Sequence, residues 1–432
     1  MKGRIYADPF FLPNFSSMKV PIICVLLFLT ACGTSNKEDS ISQPKQTQSI
    51  ITDGDWRFSF HIENEEIPFN VTFQNTQESN PIATIRNGES EIICSDFKIT
   101  EDSIFIIIPI YETILAGRIE SENLITGHWN NTMRDDYFIP FNAEKDKSFR
   151  FTPSKTSIEI PTRYHAHFQL DSTRKWDAIL KIEQTPEKVT GTFLTETGDY
   201  GYLHGNIMND KLYLSGFDGS HAYLLKADIE GDTLKNGEFI SGTHYSSSWY
   251  AVADTIFELK DPNTLTYLKE GYEHLDFKLP NQDGDSVTWD DLNLNNKVVI
   301  IDIMGSWCPN CLDATVAMEK ILNNYKSEDI KMVSIAFERT DNLEEARKRV
   351  FTFQNHVGHK NEFLFGGRAN SKNTAKAFPM LNHIMSFPTL IFIDKDRKIR
   401  QIYTGFYGPG TGKHYENFLI QTKTLLDELV SE

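Results

Sequence analysis

From Trp56 to about Val252, apolar side chains recur at every second position, as in Phe58/Phe60/Ile62, Phe69/Val71/Phe73 and Ile104/Ile106/Ile108/Ile110. A period of two puts alternate side chains on one face of an extended chain, so these runs read as strands with one buried face. No amphipathic stretch of helical length interrupts them, and the turn formers Asn87-Gly88, Asn209-Asp210 and Asp218-Gly219 fall between runs. Antiparallel meanders are therefore expected. Phe168/Leu170, Leu180/Ile182, Leu212/Leu214 and Tyr223/Leu225 follow in similar order, and Leu124-Ile125-Thr126-Gly127 is echoed by Phe239-Ile240-Ser241-Gly242. This predicts one β unit written twice, roughly 110 residues apart. Each half fits a small barrel or a sandwich, and the two also fit one shared sheet system.

At 432 residues the chain exceeds one ordinary core, and 40% hydrophobic with 24% charged residues is globular material. Sixty acidic side chains against 43 basic ones leave a formal charge of −17, with no long basic run. Phosphate backbones repel such a surface, so nucleic acid is not an expected partner. The β region carries no catalytic motif. Tyr164-His165-Ala166-His167 puts two imidazoles on one face of a strand, but no third ligand follows at a typical spacing and no metal is expected. Cys94, in Glu91-Ile92-Ile93-Cys94, reads as a small buried hydrophobe.

One strongly apolar run lies near the start, Val20 to Ala31, preceded by Lys19 and closing on Leu29-Thr30-Ala31-Cys32-Gly33. About a dozen residues is short of the roughly 20 that a spanning helix needs, and fits the core of a signal peptide. The closing residues resemble the lipobox of bacterial lipoproteins. The resemblance implies cleavage after Ala31 and acylation of Cys32, which would hold the mature chain at a membrane surface. Met18 is then the expected start, residues 1–31 the signal, and the polar, aperiodic residues 32–50 a solvated tether.

After Lys260-Asp261-Pro262-Asn263 the pattern changes. Val298 to Ile303 is an apolar run, and a helical stripe follows at Cys311, Ala314, Met318, Ile321, Leu322 and Tyr325. Between them stands Trp307-Cys308-Pro309-Asn310-Cys311. Two cysteines two residues apart at a helix start can close a small disulfide ring, and the helix N-terminus stabilises the first thiolate. Cys308 is the expected nucleophile, and Cys311, one turn deeper, is placed to resolve a mixed disulfide on it. A purely structural disulfide over so short a loop would stabilise little, and a zinc site would need a second ligand pair. Asp302 lies in the apolar strand, where burial would raise its pKa toward a general base's range. Phe387-Pro388-Thr389 leads into the second apolar strand, Leu390 to Ile393, and is a site where a cis peptide would be a structural device. Gly408-Pro409-Gly410-Thr411-Gly412-Lys413 imitates a phosphate-binding loop, but Tyr407 stands at the first glycine position and His414 at the magnesium-binding one, so no nucleotide is expected.

Val298 to Cys311 and Met385 to Asp394, in this order, resemble the thioredoxin superfamily, and in detail its extracytoplasmic TlpA- and ResA-like thiol-disulfide oxidoreductases. The resemblance covers roughly residues 270 to 432. It implies an α/β domain with a central mixed sheet flanked by helices. The implied roles are Cys308 attacking, Cys311 resolving, Asp302 as buried acid, Trp307 as flanking aromatic, Pro388 as the cis-proline facing the disulfide, and Phe387 beside it on the substrate side. Phe277 to Trp289 resembles that branch's N-terminal hairpin and Glu362 to Pro379 its extra segment; the Pro-Asn dipeptide departs from the commonest versions and leaves the potential open. The expected organisation is a β repeat at 51–150, a second at 151–262 and the thioredoxin-like domain at 263–432. The expected function is disulfide exchange with protein substrates, as a reductase, in the bacterial envelope facing the periplasm. An upstream membrane electron donor supplies it, and no cofactor is expected beyond the dithiol. The alternatives are a β-domain binding or adhesion lipoprotein with an accessory thioredoxin unit, and a thiol peroxidase.

Overall fold

The computed structural model describes residues 51–134, 136–358 and 361–432. The apolar run, Cys32 and the tether of the sequence reading lie outside the described residues. Among the described residues, the alternating first half forms two separate nine-stranded antiparallel systems, from Gly54–Ile62 to Phe138–Lys145 and from Arg163–Gln169 to Tyr245–Ala253. The two do not share a sheet. In each, the chain meanders and the last strand returns to the first, with Phe58 opposite Ala143 and Ala166 opposite Ala251. The second system closes on itself, because Lys175–Gln184 pairs with both Arg163–Gln169 and Val189–Thr195. Closure leaves no unpaired edge. The first stays open between Ser90–Cys94 and Phe97–Ile99.

Asn209-Asp210 and Asp218-Gly219 fall between successive strands, as does Gly88 after Asn87 ends its strand, and Asn209 and Asp210 both take positive φ, as a tight hairpin turn requires. The repeat is offset from its sequence echo. Leu124 to Gly127 sits in the eighth strand of the first system, and Leu234 to Gly237 occupies the eighth of the second. A Cβ on Gly127 would lie 2.1 Å from the Ala116 carbonyl oxygen, and one on Gly237 2.4 Å from that of Trp249. The shared glycine lets neighbouring strands approach closely, so the motif marks a backbone contact that Phe239–Gly242 does not reproduce.

Aromatic rings fill the first core, among them Trp56, Phe58, Phe60, Phe69 and Trp129. Phe217, from the second system, inserts here with its ring centroid 4.7 Å from Phe69 and 5.1 Å from Trp129. The two units are docked through a shared apolar contact.

The remaining chain opens with a hairpin, Lys278–Pro280 against Ser286–Thr288, and builds a five-stranded mixed sheet. Its central strand, Val298–Met304, runs parallel to Ile330–Glu338 and antiparallel to Thr389–Ile393. Alternation splits that strand between two faces. Val298 and Ile300 pack with Ala314, Met318 and Ile321 of helix α1 (Pro309–Leu322) and with Phe418, Leu426 and Leu429 of a C-terminal helix, Lys413–Ser431. Val299, Ile301 and Ile303 pack on the other face with Val350 and Phe353 of a helix at Leu343–Val357. Asp302 shares the parity of Val298 and Ile300, which points it toward α1. Tyr325 lies beyond the end of α1, where its hydroxyl donates to Asp427 at 2.6 Å.

Candidate active site

The dithiol is built where the central strand ends and α1 begins. Cys308 is the N-cap of α1 in an extended conformation, and Pro309 follows in the first turn, where its missing N–H costs nothing. The Cys311 N–H, which also reaches the Cys308 carbonyl oxygen at 3.1 Å, donates to the Cys308 sulfur at 3.2 Å, so a first-turn helix donor points at the sulfur that would carry negative charge as a thiolate. The Cys308 thiol also lies 3.5 Å from the Phe387 carbonyl oxygen, and the Phe387–Pro388 peptide is cis. Cys311 is fully buried. Burial, then the hydrogen bond and charge of Cys308, then the charge of Asp302, push the Cys311 thiol well above its ordinary range. Cys311 is therefore held neutral behind Cys308, and its proton would have to leave before its sulfur could attack.

Asp302 is the candidate acceptor. It is 1% exposed, burial pushes its carboxyl up to about 7, and the Ser334 hydroxyl at 3.4 Å from Oδ2 offsets this in part. Its Oδ1 is buried without a hydrogen bond. A carboxyl poised near neutrality, with one oxygen free and its charge acting on Cys311, is equipped to take and return a proton.

Trp307 is fixed more firmly than its position beside a loop implies. Its indole N–H donates to the Phe337 carbonyl at 2.9 Å, its ring meets Phe387 edge-on at 5.7 Å, and the Arg339 guanidinium lies 4.3 Å from its centroid. Below it, Ser306 donates both its N–H and its hydroxyl to the buried Glu338 carboxylate at 2.9 Å. Burial raises that carboxyl, and the two Ser306 bonds and the charges of Arg349 and Arg339 oppose the rise. This anchor escaped the sequence reading because Glu338 ends an ordinary apolar strand and meets Ser306 only across the sheet.

The sequence placed Cys308 outside the buried stripe, but it is only 6% exposed. It borders a junction with the β region. A cavity of about 560 Å³ at the junction of the three units is lined by Cys308, Trp307 and Phe387, by Tyr111 of the first system and by Asp199 and Tyr200 of the second. The Thr195 to Tyr202 segment is bolted to the dithiol domain by a series of hydrogen bonds. Asn310 Nδ2 donates to the Asp199 carbonyl at 3.2 Å, Ser386 to the Thr197 carbonyl at 2.6 Å, and Tyr407 to the Thr195 carbonyl at 3.0 Å. The Gly408 N–H donates to the Asp199 carboxylate at 2.6 Å. The glycine-rich turn that imitated a phosphate loop is thus packed: the Gly408 N–H reaches Asp199 across the junction, and a Cβ on Gly408 would lie 2.5 Å from Asp313 Oδ2 of α1. Asp199, buried, is raised to about 6, and Asp313 is raised by burial and by the charges of Asp199 and Asp218. Buried Tyr111 lies close enough for the charges of both cysteines to act on it.

Cys94 is fully buried, and burial pushes its thiol up to about 12, which makes it inert at neutral pH. Trp307 and Phe387 line the cavity with Cys308, Pro388 follows Phe387 through the cis peptide, and His165 and His167 lie in the second β system and do not line that cavity.

Residues 269–419 match the model of the Redoxin family. No match was found among curated proteins. Among solved structures, the chain is similar to a thiol-disulfide isomerase from Corynebacterium glutamicum, at 18% identity over 38% of this chain and 99% of that one, with a TM-score of 0.29. It is also similar to a thiol-disulfide oxidoreductase from Bacteroides fragilis, at 20% identity over 34% and 99% with a TM-score of 0.26. A thiol:disulfide interchange protein of the thioredoxin family from Chlorobium tepidum matches at 16% identity over 38% and 98%, with a TM-score of 0.27.

Proposed function

From a redoxin domain of the thioredoxin superfamily at 269–419, we propose a thiol-disulfide oxidoreductase that reduces protein disulfides through Cys308 and Cys311. The observation that carries this is the N-cap thiol of Cys308, with the Cys311 N–H 3.2 Å from its sulfur and a buried carboxyl behind its partner. The Cys308 thiolate attacks one sulfur of a substrate disulfide, forms a mixed disulfide and expels the other substrate sulfur as a thiolate. Asp302 takes the proton of Cys311. The resulting thiolate attacks Cys308, breaks the mixed disulfide, releases the second substrate thiol and leaves a Cys308–Cys311 disulfide. Two electrons pass to the substrate, and a membrane dithiol donor restores the pair.

The finer placement we propose is a TlpA- and ResA-like, lipid-anchored protein of the bacterial envelope, held through acylated Cys32 and facing the periplasm. The β systems are read as walls of the substrate site, not as an independent adhesion module, because the Thr195 to Tyr202 segment lines the same cavity as Cys308. A cleft of this size admits an exposed cystine-bearing segment in preference to a flat protein surface.

Mixed-disulfide trapping tests the mechanism. Cys311→Ser keeps the attack and loses the resolution, so it should accumulate mixed disulfides with substrate proteins, while Cys308→Ser should trap almost none. Equal trapping by both variants, or trapping by Cys308→Ser alone, overturns the assignment of roles.

A further inference from the structure

The two imidazoles singled out in the sequence acquire a third donor from the neighbouring strand. Arg163–Gln169 pairs antiparallel with Lys175–Gln184, and the register sets His167 directly opposite Asp177. His165, two residues away, is on the same face. His165 Nε2 lies 3.0 Å and His167 Nδ1 2.7 Å from the same Asp177 oxygen, Oδ1. One ligand atom from each of the three side chains falls within 4.8 Å of the others. From this convergence we propose that His165, His167 and Asp177 bind a divalent transition-metal ion of the zinc type.

Around a tetrahedral ion with bonds of about 2.0 to 2.1 Å, ligand atoms stand about 3.3 Å apart. The two histidine–carboxylate separations, 3.0 and 2.7 Å, reach that value if the side chains spread by a few tenths of an ångström, and the two ring nitrogens lie within 4.8 Å of each other. The rings are held in place for this by stacking. His165 lies flat on Phe257, with centroids 3.4 Å apart and planes 8° from parallel, and His167 lies on Tyr250 at 4.7 Å and 28°. Two aromatic faces thus fix the directions of the ligating nitrogens, as outer-shell contacts do at metal sites. The donor set selects the ion, because two imidazoles and one carboxylate suit zinc, copper or nickel and offer calcium or magnesium too few oxygens. On the carboxylate side, Asp254 adds a negative charge within electrostatic reach of His165. Asp177 is half-exposed, so a fourth position remains open to water. Phe257 belongs to the segment that leads to the redoxin domain, so an ion here would brace the first hairpin of the closed barrel against that segment. Sequence spacing alone misses the site because Asp177 is brought in by strand register and not by local sequence.

The test uses the full chain with Cys308→Ser and Cys311→Ser, which removes the dithiol as a competing ligand. After treatment with a chelator, zinc is titrated against a chromogenic chelator, and cobalt is added separately as a spectroscopic probe. One zinc per chain is expected. His167→Ala and, separately, Asp177→Asn should each weaken binding by at least tenfold, and cobalt should give visible bands of a low-symmetry nitrogen and oxygen site without a thiolate charge-transfer band. Calcium should not compete. If His167→Ala does not fold, Asp177→Asn at its half-exposed position decides alone. No zinc bound at protein concentrations in the micromolar range, or binding undiminished by Asp177→Asn, means the three side chains form a hydrogen-bonded cluster only and overturns the proposal.

Discussion

Replacing Asp302 by Asn should stabilise the reduced protein in a pH-dependent way. The side chain is fully enclosed, and burial moves its carboxyl from 3.8 to about 7. A carboxyl whose pKa is higher when folded binds its proton more tightly in the native state. Its contribution is therefore fully present below about pH 4 and is lost as pH rises through about 7. Over that window the folded wild type gives up about 4 kcal/mol relative to a side chain that cannot ionise. Asn has nearly the same shape and stays neutral throughout. The stability gap between variant and wild type should thus widen by about 4 kcal/mol between pH 4 and pH 8, then level off. Urea unfolding under reducing conditions gives the gap, with the exposure of Cys311 to an alkylating agent reporting this domain alone in a Cys308→Ser background. The Cys311 thiol does not confuse the window, because burial holds it well above 9. A gap that is constant with pH, or that narrows as pH rises, would refute the claim that Asp302 is a buried carboxyl of raised pKa.

Gly405 has φ +78, and a Cβ there would lie 2.9 Å from the Thr197 carbonyl carbon and 3.2 Å from the Gly198 nitrogen. Backbone cannot swing aside, so Gly405→Ala should part the β segment from the dithiol domain and raise the alkylation rate of Cys308, by about tenfold for each 1.4 kcal/mol by which the closed junction is weakened; an unchanged rate would mean that the junction does not shield the thiol. Asp302→Asn should also slow turnover at neutral pH while single-step attack by Cys308 proceeds normally, a separation visible in stopped-flow measurements of mixed-disulfide formation against release. Cys32→Ser should move the protein from the membrane fraction to a soluble one with the fold retained, and a variant still bound to membranes would assign the anchor to another segment.

Much of this was legible because the chemistry is local. The strand before Cys308, the helix stripe after it as far as Leu322, the acid at Asp302 and the proline at 388 are all set by near neighbours in sequence and stand where period and spacing place them; Tyr325 alone falls past the helix end. The two β systems were legible as strands through Phe58, Phe69 and Ile106, whose alternation reports a buried face. Their separation into an open and a closed meander was not, since closure depends on the pairing of Lys175–Gln184 with two partners. The burial of Cys308 also lay beyond local reasoning. The junction beside it joins Asn310 to Asp199, residues more than a hundred positions apart, and a local trace is the pair of glycines at 198 and 405, where a Cβ would meet Asn310 and the Thr197 backbone across it. Glu338 under Ser306 and Asp177 beside His167 were hidden for the same reason, the second pair joined by strand register and the first meeting just past the end of a paired strand.

The central claim is that Cys308 and Cys311 act as one redox couple. The protein is equilibrated with redox buffers spanning the reducing to the oxidising range, quenched in acid and alkylated, and the thiols on the segment that carries both cysteines are counted by mass. The two thiols should disappear together in a single two-electron transition. Because no histidine stands between the cysteines to stabilise the thiolate further, its midpoint should lie toward the thioredoxin end of the scale, about −270 mV, in keeping with a reductase. A midpoint near −120 mV would reverse the direction of electron flow, and a pair that stays as two thiols throughout, or loses them independently, would contradict the account.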